Sequence, residues 1–197
     1  MDKLSVTQYK IIYLFMNANG ICTKEECSKL CTYADISVDE AVKKEIEEYV
    51  QTFELVDNND NSSAIIAAIG DLLRFTNGKN RGVFGFSDVS RLNRDKIKQA
   101  CTLWVLIKLA YYYNDYSNPE QKIIEYLIDQ WKFDKNLYYT MIDTIETELA
   151  LLDKCNWLRN TDKNRNSMRR STMIAQIEKD LQRLQVNIKA EINEADI

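Results

Sequence analysis

NRDKIKQACTLWVLIKLAYYY, residues 93–113, is the stretch that decides the fold. From Ala100 onward it is apolar on nearly every side, with Lys108 its one charge. The run is shorter than the ~20 residues that cross a bilayer, and Lys108 interrupts it. A helix without a polar face needs neighbours all round, so residues 93–113 are expected to form the central helix of a bundle. The rest of the chain agrees. Its 197 residues hold 5 Gly and 1 Pro, too few breakers for the turn-dense β-sandwiches and barrels. An all-α fold follows, in one domain or two small ones.

Helical periodicity recurs on both sides of the central run. Val6, Tyr9, Ile12, Tyr13 and Met16 form one stripe, ending near Gly20. A short helix is expected over 25–30 and a longer one over 39–55, with Val42, Ile46, Tyr49, Val50 and Phe53 inward. Over 63–75, Ile65, Ile66, Ile69, Leu72 and Leu73 alternate with Ala64, Ala67, Ala68 and Gly70, small enough for close helix contact. Residues 76–90 read as the one long irregular stretch, anchored by Val83, Phe84 and Phe86. Two more helices are expected over 120–131 and 136–152, about seven in all. Near the end, Ile174, Ile177, Leu181, Leu184 and Ile188 make a short a/d seam on a charged helix. Fewer than three heptads suit equally a last helix packed on the bundle and a helix that dimerises or takes a partner.

Charge and residue type restrict the chemistry. The chain has no His, which removes Ser-His-Asp and Cys-His catalysis, the common zinc sets and a histidine switch. No Gly-rich phosphate loop, GxSxG elbow or metal-protease motif occurs. The first residues carry Asp2, Lys3, Gln8 and Lys10, unlike a signal peptide. Five cysteines without CxxC pairing point to free thiols and a reducing cytoplasm. Cys22, Cys27 and Cys31 do not have the spacing of a usual zinc site. The net charge of −4 hides opposed blocks: −7 over 24–60, +6 over 72–108, −6 over 109–153 and +5 over 154–174. The N-terminal helices have helix-turn-helix order, but the would-be recognition helix, residues 39–48, has five carboxylates against two lysines and would repel phosphate.

Three stretches match a capping box, in which a Ser or Thr caps a helix and a Glu three residues later reaches back: Thr23 to Glu26, Ser37 to Glu40, and Ser117 to Glu120. Pro119 adds a helix-start signal to the third.

The turns around two of these boxes, Asn17-Ala18-Asn19-Gly20-Ile21-Cys22-Thr23-Lys24-Glu25-Glu26 and Tyr112-Tyr113-Asn114-Asp115-Tyr116-Ser117-Asn118-Pro119-Glu120, carry a family signal. The chain resembles the tellurite-resistance TerB-like family, whose two helical halves each hold an Ala-Asp-Gly-x-Ile-Ser-x-x-Glu type turn. The first turn keeps the spacing, with Asn19 in place of Asp, Gly20, Thr23 and Glu26. The second is one residue shorter, lacks the Gly, and keeps Asp115, Ser117 and Glu120. Ile123-Ile124-Glu125-Tyr126-Leu127 and Trp131-Lys132-Phe133-Asp134 then look like the family's next helix and turn, so the resemblance spans roughly residues 6–152.

The resemblance implies a helical bundle in two related halves over 1–153, before a basic linker at 154–170 and an amphipathic helix at 171–197. It implies a non-enzymatic cytoplasmic interaction module in bacterial stress response or phage defence, with a protein partner encoded by a neighbouring gene. It also links the acidic turns to a divalent cation, Ca²⁺ or Mg²⁺, with Glu26, Asp115 and Glu120 as ligands; helix capping and surface charge are the alternative. A hard cation takes six or more oxygens, so these residues could serve only if the two turns lie side by side. For the partner, Arg159, Lys163, Arg165, Arg169 and Arg170 offer a basic patch. Ile177, Leu181 and Leu184 offer an apolar seam, which would also allow a homodimer. The rival reading is a phosphate- or nucleic-acid-binding protein using the basic 159–170 segment, where Trp157 is the only aromatic nearby.

Overall fold

The computed structural model describes residues 4–55, 60–78, 87–112, 116–160 and 167–194. These form helices α1 (Val6–Phe15), α2 (Lys24–Tyr33), α3 (Glu40–Val50), α4 (Ser62–Gly78), α5 (Ser87–Ala110), α6 (Asn118–Trp131), α7 (Lys135–Asn160) and α8 (Ser167–Glu194). The fold is all-α: about seven helices and a C-terminal helix, with no strand among the described residues. By its contacts the chain divides into two units, one carrying α1–α6 and the other, Lys135–Asp196, carrying α7 and α8.

In the first unit α5 is the central element expected from its sequence. Every residue from Ala100 to Ala110 is buried. α1 packs against α3, α4 and α5, and α6 against α4 and α5. Ile11, Ile12 and Leu14 of α1, Ile65 and Ile69 of α4, and Ile123, Ile124 and Leu127 of α6 are fully excluded from solvent, each worth about 1.5–3 kcal/mol of transfer free energy. Lys108, the charge inside the run, is 8% exposed. Its Nζ sits 5.4 Å from the centre of the Tyr33 ring, which lies edge-on to Tyr112, so the ammonium meets the face of one aromatic ring. The small-residue stripe on α4 also serves as expected. A Cβ on Gly70 would stand 2.9 Å from the Tyr126 hydroxyl of α6, close enough that only Gly fits without movement.

Helix ends follow local chemistry, with two departures from expectation. Thr23 and Ser117 cap α2 and α6 through complete capping boxes. Ser5 and Gln8 form another at α1, with Gln in the place that Glu holds in the other two. Ser37 does not cap α3. Asp39 takes that role, accepting the Ala41 N–H at 3.0 Å, while the Ser37 carbonyl accepts the Tyr9 hydroxyl. A carboxylate two residues nearer the helix wins the cap. Asp35 follows the C-cap of α2 at φ 55°, and Lys132 follows α6 at φ 50°. At each, the next residue's N–H closes a 6→1 bond, Ile36 to the Cys31 carbonyl and Phe133 to the Ile128 carbonyl, the Schellman stop.

Boundaries shift where periodicity is silent. α5 begins at Ser87, six residues before the apolar pattern, and α4 runs to Gly78. Helices thus take 76–78 and 87–90 of the stretch expected to be irregular; the rest of it, 79–86 with Val83, Phe84 and Phe86, lies outside the described residues.

The second unit is an antiparallel helical hairpin. Cys155, Leu158 and Ile177 form its buried cluster, with Leu151, Ile174 and Leu181 packed on it. Arg159 pairs with Glu178 at 2.8 Å, and Gln185 Nε2 donates to Glu148 at 2.6 Å. The basic segment 154–170 is not linker throughout. Residues 154–160 complete α7 and 167–170 open α8, while 161–166 lie outside the described residues.

Candidate functional site

The two turns singled out in the sequence meet in the first unit. Ser117 Oγ, at the cap of α6, lies 2.8 Å from Asn19 Oδ1, ninety-eight residues earlier. It also lies 2.7 Å from Glu120 Oε2. A hydroxyl has one proton, and the carboxylate takes it. The Asn19 contact is satisfied when the carboxamide presents its NH₂ to Ser117 Oγ, an orientation free to be chosen because amide N and O are alike in shape. Asn19 therefore suits this place as Asp would not, since a second carboxylate here would face Glu120.

Behind the contact, a buried polar knot fixes the first turn. Asn17, 5% exposed, donates from Nδ2 to the Tyr13 carbonyl and accepts the Cys22 N–H at Oδ1, both at 2.8 Å. Asn61, equally buried, donates to the Asn17 carbonyl at 3.0 Å, and its backbone N–H to the Ala18 carbonyl. The turn is thereby tied at one end to α1 and at the other to the start of α4. Gly20 adopts φ 145°, backbone that a side chain would strain.

Glu26 and Glu120 line one cleft of about 180 Å³ together with Asn19, Gly20 and Cys22, over a floor that includes Phe15 and Leu109. In each glutamate, Oε2 already accepts the N–H and hydroxyl of its own cap residue, at 2.7–2.9 Å. The Thr23 hydroxyl and N–H hold the Glu26 carboxyl below the usual carboxylate range, as donors to the charged form do. Asp115 lies outside the described residues. Among those described, no group of three or more His, Cys, Asp or Glu side chains is placed to hold a metal. The described donors are two carboxylates engaged in capping and one amide, short of the oxygen cage that Ca²⁺ or Mg²⁺ requires.

Asp60 adds a charge contact beside the knot. Lys122 Nζ of α6 meets it at 2.8 Å, and Asp60 Oδ1 accepts the Ser62 N–H that opens α4. Lys122 first, and then Ser62, lower the Asp60 carboxyl from 3.8 to about 2. A carboxyl depressed on folding adds stability above its unfolded value and loses it as pH falls through the folded one. The stability gap between wild type and Asp60→Asn in urea should thus be full at neutral pH, narrow below 3.8 and vanish near 2. A gap independent of pH would show that the carboxylate charge adds nothing.

The expected partner residues are placed differently from one another. Arg159 is held by Glu178, Arg169 is exposed and Arg170 half-buried, and Lys163 and Arg165 lie outside the described residues. Ile177 is 5% exposed, and Leu181 packs on its cluster; Leu184 is half-buried. Over Ile174–Leu181 the apolar seam is thus occupied by α7, the intramolecular packing that the spacing had left open.

No helix among the described residues is long and apolar enough to cross a membrane. Comparison of the chain with family models, with curated proteins and with solved structures found no match.

Proposed function

We propose that this chain is a non-enzymatic protein-interaction module of the TerB-like type, acting in the cytoplasm in bacterial stress response or phage defence. One observation carries the interaction reading: where large apolar side chains face solvent. Seven do so among the described residues, and six of them, Tyr139, Leu152, Trp157, Met168, Met173 and Val186, lie on α7 or α8. Scattered exposed apolar residues are ordinary, but their concentration on one element pair supports reading that pair as an interaction surface. Trp157 at 65% exposed is of the residue type that most often anchors such contacts. The TerB-like reading is supported by a pattern used twice: a buried helix, a turn closed by a capping box, and a second helix stopped by a left-handed residue. The meeting of Ser117 with Asn19 agrees with two related halves whose turns come together. The occupant of the hairpin surface is a second, different protein.

The test compares the wild type with a Trp157→Glu/Val186→Glu double variant in affinity capture from the source cell, and in solution mass. Both sites are exposed, at 65% and 66%, so the variant should fold. A partner brought down by the wild type and lost from the variant is the expected result. A mass of two chains that falls to one in the variant would make the occupant a second copy instead. Equal capture and equal mass would overturn the proposal.

A further inference from the structure

The first turn brings together two thiols that neither capping nor partner capture uses. Cys22 stands immediately before the cap Thr23, and Cys27 is the fourth residue of α2. These are the two positions that a hydrophobic staple joins at a helix start, and here both are cysteine. Their Sγ atoms lie 3.0 Å apart; both thiols are free and half-buried. The Cys22 backbone is held by Asn17, so the pair is set by the same buried knot that shapes the turn. Both line a cleft of about 250 Å³ whose walls include Tyr13, Lys24, Glu47 and Phe53, room for a small molecule to reach either sulfur. Cys27, on the first turns of a helix whose dipole favours a thiolate, is the readier nucleophile, and Cys22, just before the cap, is placed to resolve it.

We propose that Cys22 and Cys27 form a redox-active dithiol site that reacts with small-molecule disulfides of the glutathione class and closes to a reversible intramolecular disulfide. The Cys27 thiolate attacks one sulfur of the small disulfide, forming a mixed disulfide and releasing one small thiol. Cys22 loses its proton to solvent and attacks Cys27 Sγ, displacing the second small thiol, which is protonated. Two protein thiols are oxidised, one small disulfide is reduced, and two electrons and two protons are transferred. Closure from 3.0 Å to the ~2.05 Å of a disulfide needs about 1 Å of movement. Cys22 also lines the cleft of Glu26 and Glu120, so closure would be felt there.

The test treats the full-length native chain with oxidised glutathione and follows intact mass and tryptic peptides. Trypsin cuts after Lys24, between the two cysteines, so the disulfide appears as two linked peptides. The expected result is loss of two hydrogens with the Cys22–Cys27 link, reversed by reduced glutathione. The link should form about tenfold faster than in the urea-unfolded chain. Cys22→Ser should stop at a stable glutathione adduct on Cys27, and Cys27→Ser should suppress adduct formation at Cys22. Adducts spread evenly over the half-buried Cys22, Cys27 and Cys31, or a link no faster in the native than in the unfolded chain, would overturn the proposal. The native-against-unfolded comparison decides it even if either variant fails to fold.

Discussion

Leu106→Ala is expected to lower the unfolding free energy by about 3–5 kcal/mol, with a fall in Tm on the order of 10 °C. Leu106 is fully buried on α5, within a stretch where every neighbour from Ala100 to Ala110 is buried as well. Truncation there removes transfer free energy, and it leaves a cavity that a helix held on all sides cannot collapse to fill. Urea unfolding followed by tryptophan fluorescence is the measurement, with Trp104, 3% exposed on the same helix, one of the three that report it. Met168→Ala, at 84% exposed, supplies the contrast and should fall within about 0.5 kcal/mol of wild type. A comparable small loss at Leu106 would mean that α5 is not the centre of its unit.

Asn17→Ala should cost about 2–4 kcal/mol although it removes no apolar core. The alanine leaves the Cys22 N–H and the Tyr13 carbonyl without the partners that Asn17 provides at 2.8 Å. In a site where Asn17 is 5% exposed, water does not replace them without opening the turn. Thermal melting gives the magnitude. Amide exchange at Cys22 gives the cause, because that proton should become far more labile than those of the α5 core. Unchanged exchange with lowered stability would place the damage elsewhere.

The parts of this molecule that were legible in the sequence are those fixed by neighbours close along the chain. An apolar run with a single Lys108 announced a central helix, and Thr23, Ser117 and Pro119 announced helix starts, because each signal lies within one or two turns. Where local signals competed, the reading failed: Ser37 and Asp39 both offered an oxygen to the start of α3, and the nearer carboxylate of Asp39 took the cap. The first turns of α5 were invisible because residues 87–92 are mostly polar and carry no period. The site was less legible than the fold. That Asn19 meets Ser117 depends on the packing of α1 and α5, and nothing within either turn encodes it. The burial of Asn17 and Asn61 has no mark in the neighbouring sequence, since polar side chains reveal burial only through their partners. Cys22 and Cys27 were weighed as metal ligands by their spacing, when their relation is that of a staple across a helix cap. The seam of α8 could not be assigned from two heptads, and α7 now fills part of it.

The TerB-like reading draws on the two turns meeting at Asn19 and Ser117. A double-mutant cycle of Asn19→Ala and Ser117→Ala, measured by urea unfolding, tests that contact directly. Each single change has its own cost, since Ser117 also caps α6, but the cycle cancels those costs and leaves the pairwise interaction. A coupling of about 1 kcal/mol is the predicted result. Strict additivity, to within about 0.3 kcal/mol, would mean that the turns do not touch and would contradict the account.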